Sequence, residues 1–197
     1  MTLLPLFLDL SGKRVLLVGG GSVALAKAQA LRATGCRLRA VAPAFSEGLL
    51  ELLAAFDHER HERVFESSDL EGVHLVVSAT NDPAANTLIS AEARKRGLWV
   101  NAVDDPASCD ALFPSVLRRG PFVVAVSTEG AFAGLSRVVR EALEGLVPDA
   151  TVPEFEGLVR LRRQIRDGLP DPAARSRTLR ALLDEVQRTL RPLESRP

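Results

Sequence analysis

Three consecutive glycines, Gly19-Gly20-Gly21, run into Ser22-Val23-Ala24 and fit the spacing G-x-G-x-x-A. That spacing suits a dinucleotide. Gly19 permits a tight turn, Gly21 lets the backbone approach a pyrophosphate, and Ala24 keeps the next helix close to the sheet with its N-terminus toward the phosphates. Two later clusters are candidates for the same site, Ser78-Ala79-Thr80-Asn81 and Asn101-Ala102-Val103-Asp104. Thr80, Asn81 and Asn101 can hydrogen-bond a ribose or a nicotinamide, and Asp104 can accept a proton at the reacting end. A turn with a helix cap is the competing reading of Asp104-Asp105-Pro106. The chain has no tyrosine and only three lysines, Lys13, Lys27 and Lys95. A Tyr-Lys acid-base pair, as short-chain dehydrogenases use, is therefore excluded. All three histidines, His58, His61 and His74, come early, which disfavours chemistry built on a late catalytic histidine. A carboxylate is the candidate base.

The elements that must position these residues alternate. Arg14–Val18 is a short apolar run, as a strand buried on both faces should be. The glycine turn follows, then a helix with Ala24, Ala28 and Leu31 on one face, closed by Gly35. Residues 38–42 read as a second strand, 45–56 as a helix, 59–65 as a more polar third strand and 75–79 as a fourth. Asp82-Pro83 caps a helix running to about residue 96, and 98–103 is a fifth strand. The alternation implies an α/β fold of Rossmann type, a parallel sheet with helices on both faces. In such a sheet ligands sit at the carboxyl ends of the strands, near the point where strand order reverses. All the clusters above lie at that edge.

After Asp105-Pro106 the pattern changes. Strands at 112–117 and 122–127 flank Arg118-Arg119-Gly120-Pro121, and Leu135, Val138, Val139, Ala142, Leu143 and Leu146 recur at helical spacing. Helices are expected at 154–166 and 171–190. We expect a dinucleotide-binding domain over 1–106, a strand-pair dimerisation region over 107–148 and a small helical C-terminal domain over 149–197. A strand pair with open edges needs covering, so a homodimer is expected.

Composition narrows the partners. Twenty-five Lys and Arg balance 25 Asp and Glu, which argues against nucleic acid. No apolar run is long enough to span a bilayer, and the start lacks a signal-peptide pattern, so a cytoplasmic location and no membrane partner are expected. Cys36 and Cys109 cannot make a disulfide framework or a four-ligand zinc site, and no metal ligands are assigned. Cys109 reads as a small buried side chain, His58 and His61 as solvent-facing. The second strand ends in Ala42-Pro43-Ala44-Phe45-Ser46, where the dinucleotide fingerprint usually has an acid for the ribose, and no arginine follows it. These residues leave NAD against NADP open.

Five segments carry a resemblance: Leu4-Pro5-Leu6-Phe7-Leu8, Val18 to Ala24, Ser78 to Asp82, Val100 to Asp105, and Val124-Ala125-Val126-Ser127-Thr128. In order and spacing they resemble the precorrin-2 dehydrogenase family, the NAD-dependent half of siroheme synthase. The resemblance covers roughly residues 4–148. It implies oxidation of precorrin-2, a tetrapyrrole, to sirohydrochlorin with NAD; some members also insert ferrous iron, as a substrate. It implies NAD contacts at Ser22, Val23, Pro43 and Ala44, and acid-base work at Asp104. Because the substrate bears many carboxylates, Arg118, Arg119, Arg137 and Arg140 are candidate partners alongside Thr128, although each arginine also reads as a solvated surface charge. The family commonly follows its Ser-Thr or Ser-Ser pair with Gly-Gly-x-Ser-Pro. This chain has Ser127-Thr128-Glu129-Gly130-Ala131-Phe132-Ala133. The residues alone also admit a non-catalytic NAD-binding regulatory module or a dehydrogenase of another polyanionic metabolite.

Overall fold

The computed structural model describes residues 3–103, 105 and 108–190, with side chains to 187. Five strands, β1 (Arg14–Val18), β2 (Arg37–Val41), β3 (Asp57–His61), β4 (Val73–Ser78) and β5 (Trp99–Ala102), form one sheet in the order β3-β2-β1-β4-β5. Every pairing is parallel. The helices α1 (Ser22–Leu31), α2 (Glu47–Leu53) and α3 (Pro83–Lys95) connect them. Strand order runs outward from β1 in both directions, so the reversal point lies between β1 and β4.

The apolar run of β1 divides between two cores. Val15 and Leu17 pack with Ala24, Ala28, Leu31, Leu38 and Leu49 on one face. Leu16 and Val18 pack with Val41, Val76, Ile89, Ala93 and Val100 on the other. Burying each such side chain is worth about 1.5–3 kcal/mol, so the sheet is held from both sides. Gly35 ends the turn after α1 with φ 68°. Asp82 caps α3 by accepting from the N–H of Ala84 at 2.8 Å and of Ala85 at 3.3 Å.

The third strand corrects the sequence reading. It occupies Asp57–His61 rather than 59–65, and Val64 and Phe65 lie outside the sheet. This edge strand is ordered by pairing, not by burial: Arg37 faces Asp57 and Arg39 faces Glu59 in the register. The same pairs are ion-paired at 3.0 and 2.7 Å. His58 is exposed, as expected, and so is His74.

The chain divides into two compact units, the first comprising Met1–Phe113 with Glu129–Phe132, the second Pro114–Thr128 with Ala133–Pro197. The second contains an antiparallel hairpin, β6 (Ser115–Arg119) with β7 (Phe122–Val126), and the helices α4 (Ala133–Leu146), α5 (Val152–Gly168) and α6 (Pro172–Leu190). Its expected strands and helices are present, with ends shifted by up to three residues. Phe122 and Phe155 stack at a 5.0 Å centroid distance. Among its described residues only Leu117 is a buried hydrophobic. No described helix is long and apolar enough to cross a membrane.

Candidate functional site

A cavity of about 540 Å³ opens at the carboxyl edge of the sheet, at the reversal point. It is lined by the glycine turn, the β2–α2 segment 42–46, Val64, Phe65 and the β4–α3 turn 79–82. Ligand cavities fall in this size range and at this place in doubly wound sheets.

The glycine turn is clamped from both sides. Gly19 donates to Val41 O at 2.9 Å, and Ser46 N donates to Gly20 O at 2.8 Å. Gly19 has φ 130°, and a Cβ there would stand 2.2 Å from Ala79 O. A Cβ on Gly20 would stand 1.8 Å from Ala44 O, whereas one on Gly21 would meet nothing within 4 Å. Gly19 and Gly20 are thus demanded by the protein's own backbone, while the space beside Gly21 is open. Gly21 is also the N-cap of α1, with no side-chain cap and no acid in the first turn. The N–H groups of that turn have no intrahelical partner and carry the positive end of the helix dipole. In α3 the Asp82 carboxylate occupies the equivalent place. An open glycine face beside an uncapped helix start fits a dinucleotide's pyrophosphate, so the residues present suit the cofactor that the motif implies.

The β4–α3 turn is organised by a residue the sequence reading missed. Asn86 Oδ1 accepts from Ser78 Oγ at 2.7 Å, Thr80 Oγ1 at 2.8 Å and Thr80 N at 3.2 Å, and Asn86 Nδ2 donates to Thr80 O at 3.0 Å. Thr80 therefore spends its hydroxyl proton inside the protein and offers a ligand only acceptor capacity. Asn81 beside it is exposed and lines the cavity. An Asn in the second turn of a helix, where its propensity is poor, was the available signal.

Of the other expected cofactor contacts, Pro43 and Ala44 line the cavity and are exposed, while Ser22 and Val23 are exposed at the start of α1 but outside the lining. Asn101 is buried at 3% exposure, outside the lining, and its Nδ2 donates to Ala111 O at 2.9 Å. It fastens the segment after β5 back onto the strand. Asp110 and Ala111 donate from their N–H groups to Val100 O at 2.8 and 3.1 Å, and Asp110 Oδ2 accepts from Val100 N at 3.2 Å. Cys109 is buried, as expected, but also bonds both sides of Ala102, accepting from its N–H at 3.2 Å and donating to its carbonyl at 3.1 Å. Burial pushes this thiol up from its ordinary pKa and keeps it neutral. Asp104, the expected base, lies outside the described residues, as does Pro106.

In the second unit, Arg119 is consumed locally: Nε donates to Val147 O at 2.8 Å and pairs with Asp149 at 3.2 Å. Arg140 is paired with Glu144 and Glu141. Arg118 and Arg137 are exposed, and Ser136 Oγ meets Thr128 Oγ1 at 3.4 Å. In the first unit Glu129 has φ 54°, a left-handed conformation that glycine adopts without strain, at one of the positions where the resembled family carries glycine. Its Oε1 accepts from Leu3 N at 2.9 Å. Phe132 is 64% exposed.

A five-stranded parallel sheet with a glycine turn and an open cavity at its reversal point defines a nucleotide-binding α/β protein. The model of a family described as "Putative NAD(P)-binding" matches residues 6–115, more than half the chain, and the chain belongs to that family. Siroheme synthase of Ectopseudomonas mendocina (strain ymp) is 49% identical over 98 residues, which are 50% of this chain and 21% of that protein. Siroheme synthase of Pseudomonas fluorescens (strain Pf0-1) is 46% identical over 96 residues, 49% and 21% of the two. The match thus spans about a fifth of the length of these relatives. A solved structure titled "SirC, precorrin-2 dehydrogenase" is similar with a TM-score of 0.79 and 26% identity, over 91% of this chain and 89% of that one.

Proposed function

We propose that this chain is a precorrin-2 dehydrogenase, oxidising precorrin-2 to sirohydrochlorin with NAD in siroheme biosynthesis, in the cytoplasm. The observation that carries the reading is the likeness to the solved precorrin-2 dehydrogenase, which extends over nearly the whole of both chains. Bound NAD supplies the two-electron acceptor for a hydride from the macrocycle. The chain's own part is to hold the pyrophosphate at Gly21 and the start of α1, and to take the proton released from the substrate. We assign that proton to Asp104, which comes two residues after the end of β5 in the sequence.

The second unit supports a homodimer. Leu135, Val138, Val139 and Leu146 of α4 are all exposed, by 40–58%, and make one apolar stripe, while among the described residues β6 and β7 pair only with each other. We assign the segment 107–148 to dimer formation and 149–197 to the helical domain. Thr128, Arg118 and Arg137 remain the proposed contacts for the substrate's carboxylates, and ferrous iron is a proposed second substrate.

The test is NADH formation by the full chain given precorrin-2 and NAD, followed by absorbance. Replacing Asp104 with Asn should lower the rate by about 100- to 10,000-fold with little change in NAD affinity, which is the usual span of general acid-base catalysis. Asp105→Asn serves as control. Wild-type protein that binds NAD but forms no NADH would overturn the enzymatic reading in favour of a regulatory module. Near-full turnover in Asp104→Asn would overturn the assignment of the base. Adding ferrous iron to the product mixture reads out metal insertion separately.

A further inference from the structure

Among its described residues the dinucleotide cavity carries almost no charge where a nucleotide's ribose would meet it. In a sheet of this order the residues just after β2, some twenty beyond the glycine turn, face the adenosine ribose. A carboxylate there bonds the hydroxyls and repels a 2′-phosphate; an arginine there receives the phosphate. Here the chain runs Ala42-Pro43-Ala44-Phe45-Ser46, with the side chains of Pro43 and Ala44 exposed. Among the described residues lining the cavity Asp82 alone is charged, and its carboxylate is held by the N–H groups that open α3. The arginines of β2, β3 and the following segment are all committed to carboxylates: Arg37 to Asp57, Arg39 to Glu59, Arg60 to Glu62 and Arg63 to Asp69.

We infer that this site discriminates weakly between NAD and NADP, and that the side chain at Ala44 sets the discrimination. The inference rests on the dinucleotide reading of the cavity and deepens it. A 2′-phosphate beside an exposed alanine keeps its water, so it meets neither the cost of desolvation nor the gain of a charged partner. The hydroxyl of NAD finds no carboxylate either. Both forms are left to bind through what they share, the pyrophosphate on the glycine turn and the adenine against Val64 and Phe65.

Calorimetric titration of the full chain with NAD and with NADP tests this, each at about 0.01 M and about 0.15 M ionic strength. The two dissociation constants should agree within about tenfold, or about 1.4 kcal/mol. The side chain of Ala44 is exposed, so Ala44→Arg and Ala44→Asp should fold, as a melting curve will show. Ala44→Arg should shift the ratio of constants toward NADP by about tenfold or more, the worth of one charge-assisted bond, and steepen the salt dependence of NADP binding. Ala44→Asp should shift it comparably toward NAD. A wild-type preference of about a hundredfold or more, some 2.7 kcal/mol, would overturn the inference while leaving the cavity a dinucleotide site. So would a ratio unmoved by both substitutions. Failure of either dinucleotide to bind would overturn the cavity assignment itself.

Discussion

At Gly20 a Cβ would press on the Ala44 carbonyl at 1.8 Å, and at Gly21 it would meet only open space. Gly20 is thus demanded by the fold, while Gly21 is left to the proposed ligand, and the two demands can be separated by substitution. Gly20→Ala should force the β2–α2 backbone away and cost about 1–3 kcal/mol, as overpacking does, visible as a lower melting temperature. Gly21→Val should leave the melting temperature nearly unchanged, because the extended N-cap backbone there (φ −91°) accepts a branched residue. It should nonetheless abolish NAD binding in a calorimetric titration, since the isopropyl group would stand where the pyrophosphate approaches. Unimpaired binding by Gly21→Val would refute the placement of the phosphates.

Elements in this protein are held to the sheet by a few polar anchors whose loss has calculable direction. Asp82 is the side-chain cap of α3, and Asp82→Ala should cost about 1 kcal/mol, measured by denaturant unfolding. The β3–β4 connection is anchored by Asp69, which is 3% exposed and bonded to Arg63 by both carboxylate oxygens, at 2.7 and 2.8 Å. Burial works to raise its pKa, but the Arg63 hydrogen bonds, the Glu66 N–H and the Arg63 charge outweigh it and hold the carboxyl below its ordinary value. Glu59 is lowered chiefly by its hydrogen bond to Arg39. A carboxyl lowered on folding stabilises the native state fully above its unfolded pKa, about 3.9 for Asp, and loses that contribution as pH falls through the folded value. Melting temperature should therefore drop as pH falls below about 4. Asp69→Asn should melt lower at pH 7 and show a shallower acid limb. An acid limb as steep in the variant as in the wild type would show that this pair does not set it.

For the whole molecule the open question is what covers the second unit, whose α4 stripe is exposed. A homodimer through α4 and the hairpin would bury it, and sedimentation velocity at micromolar concentration should give a dimer. Val138→Glu, which puts a charge at the centre of the stripe, should yield monomer with the Rossmann unit still folded and still binding NAD. A wild-type monomer would show that the stripe has another use.

The fold of the first unit was legible in the chain because its signals are local. A strand buried on both faces must be apolar throughout, a turn with φ 130° must be glycine, and Asp82-Pro83 is a cap in almost any context. Pairing decided the third strand, which begins two residues and ends four residues earlier than expected because Asp57 and Glu59 meet Arg37 and Arg39 across the ladder, a contact between residues 20 apart. A separation of 24 residues likewise hid Gly20 against Ala44. A separation of 28 residues hid the engagement of Arg119 by Val147, whereas the turn-ordering role of Asn86 and the fastening of residues 109–111 onto β5 join residues only 6 to 10 apart, and there it was side-chain orientation that the sequence did not show. Residue types and spacing determined that a dinucleotide turn exists and at which sheet edge it lies. Only the folded chain decided which of those residues line the cavity and which are engaged by the protein, because a hydrogen bond or a steric contact between two segments has no signature in either segment alone.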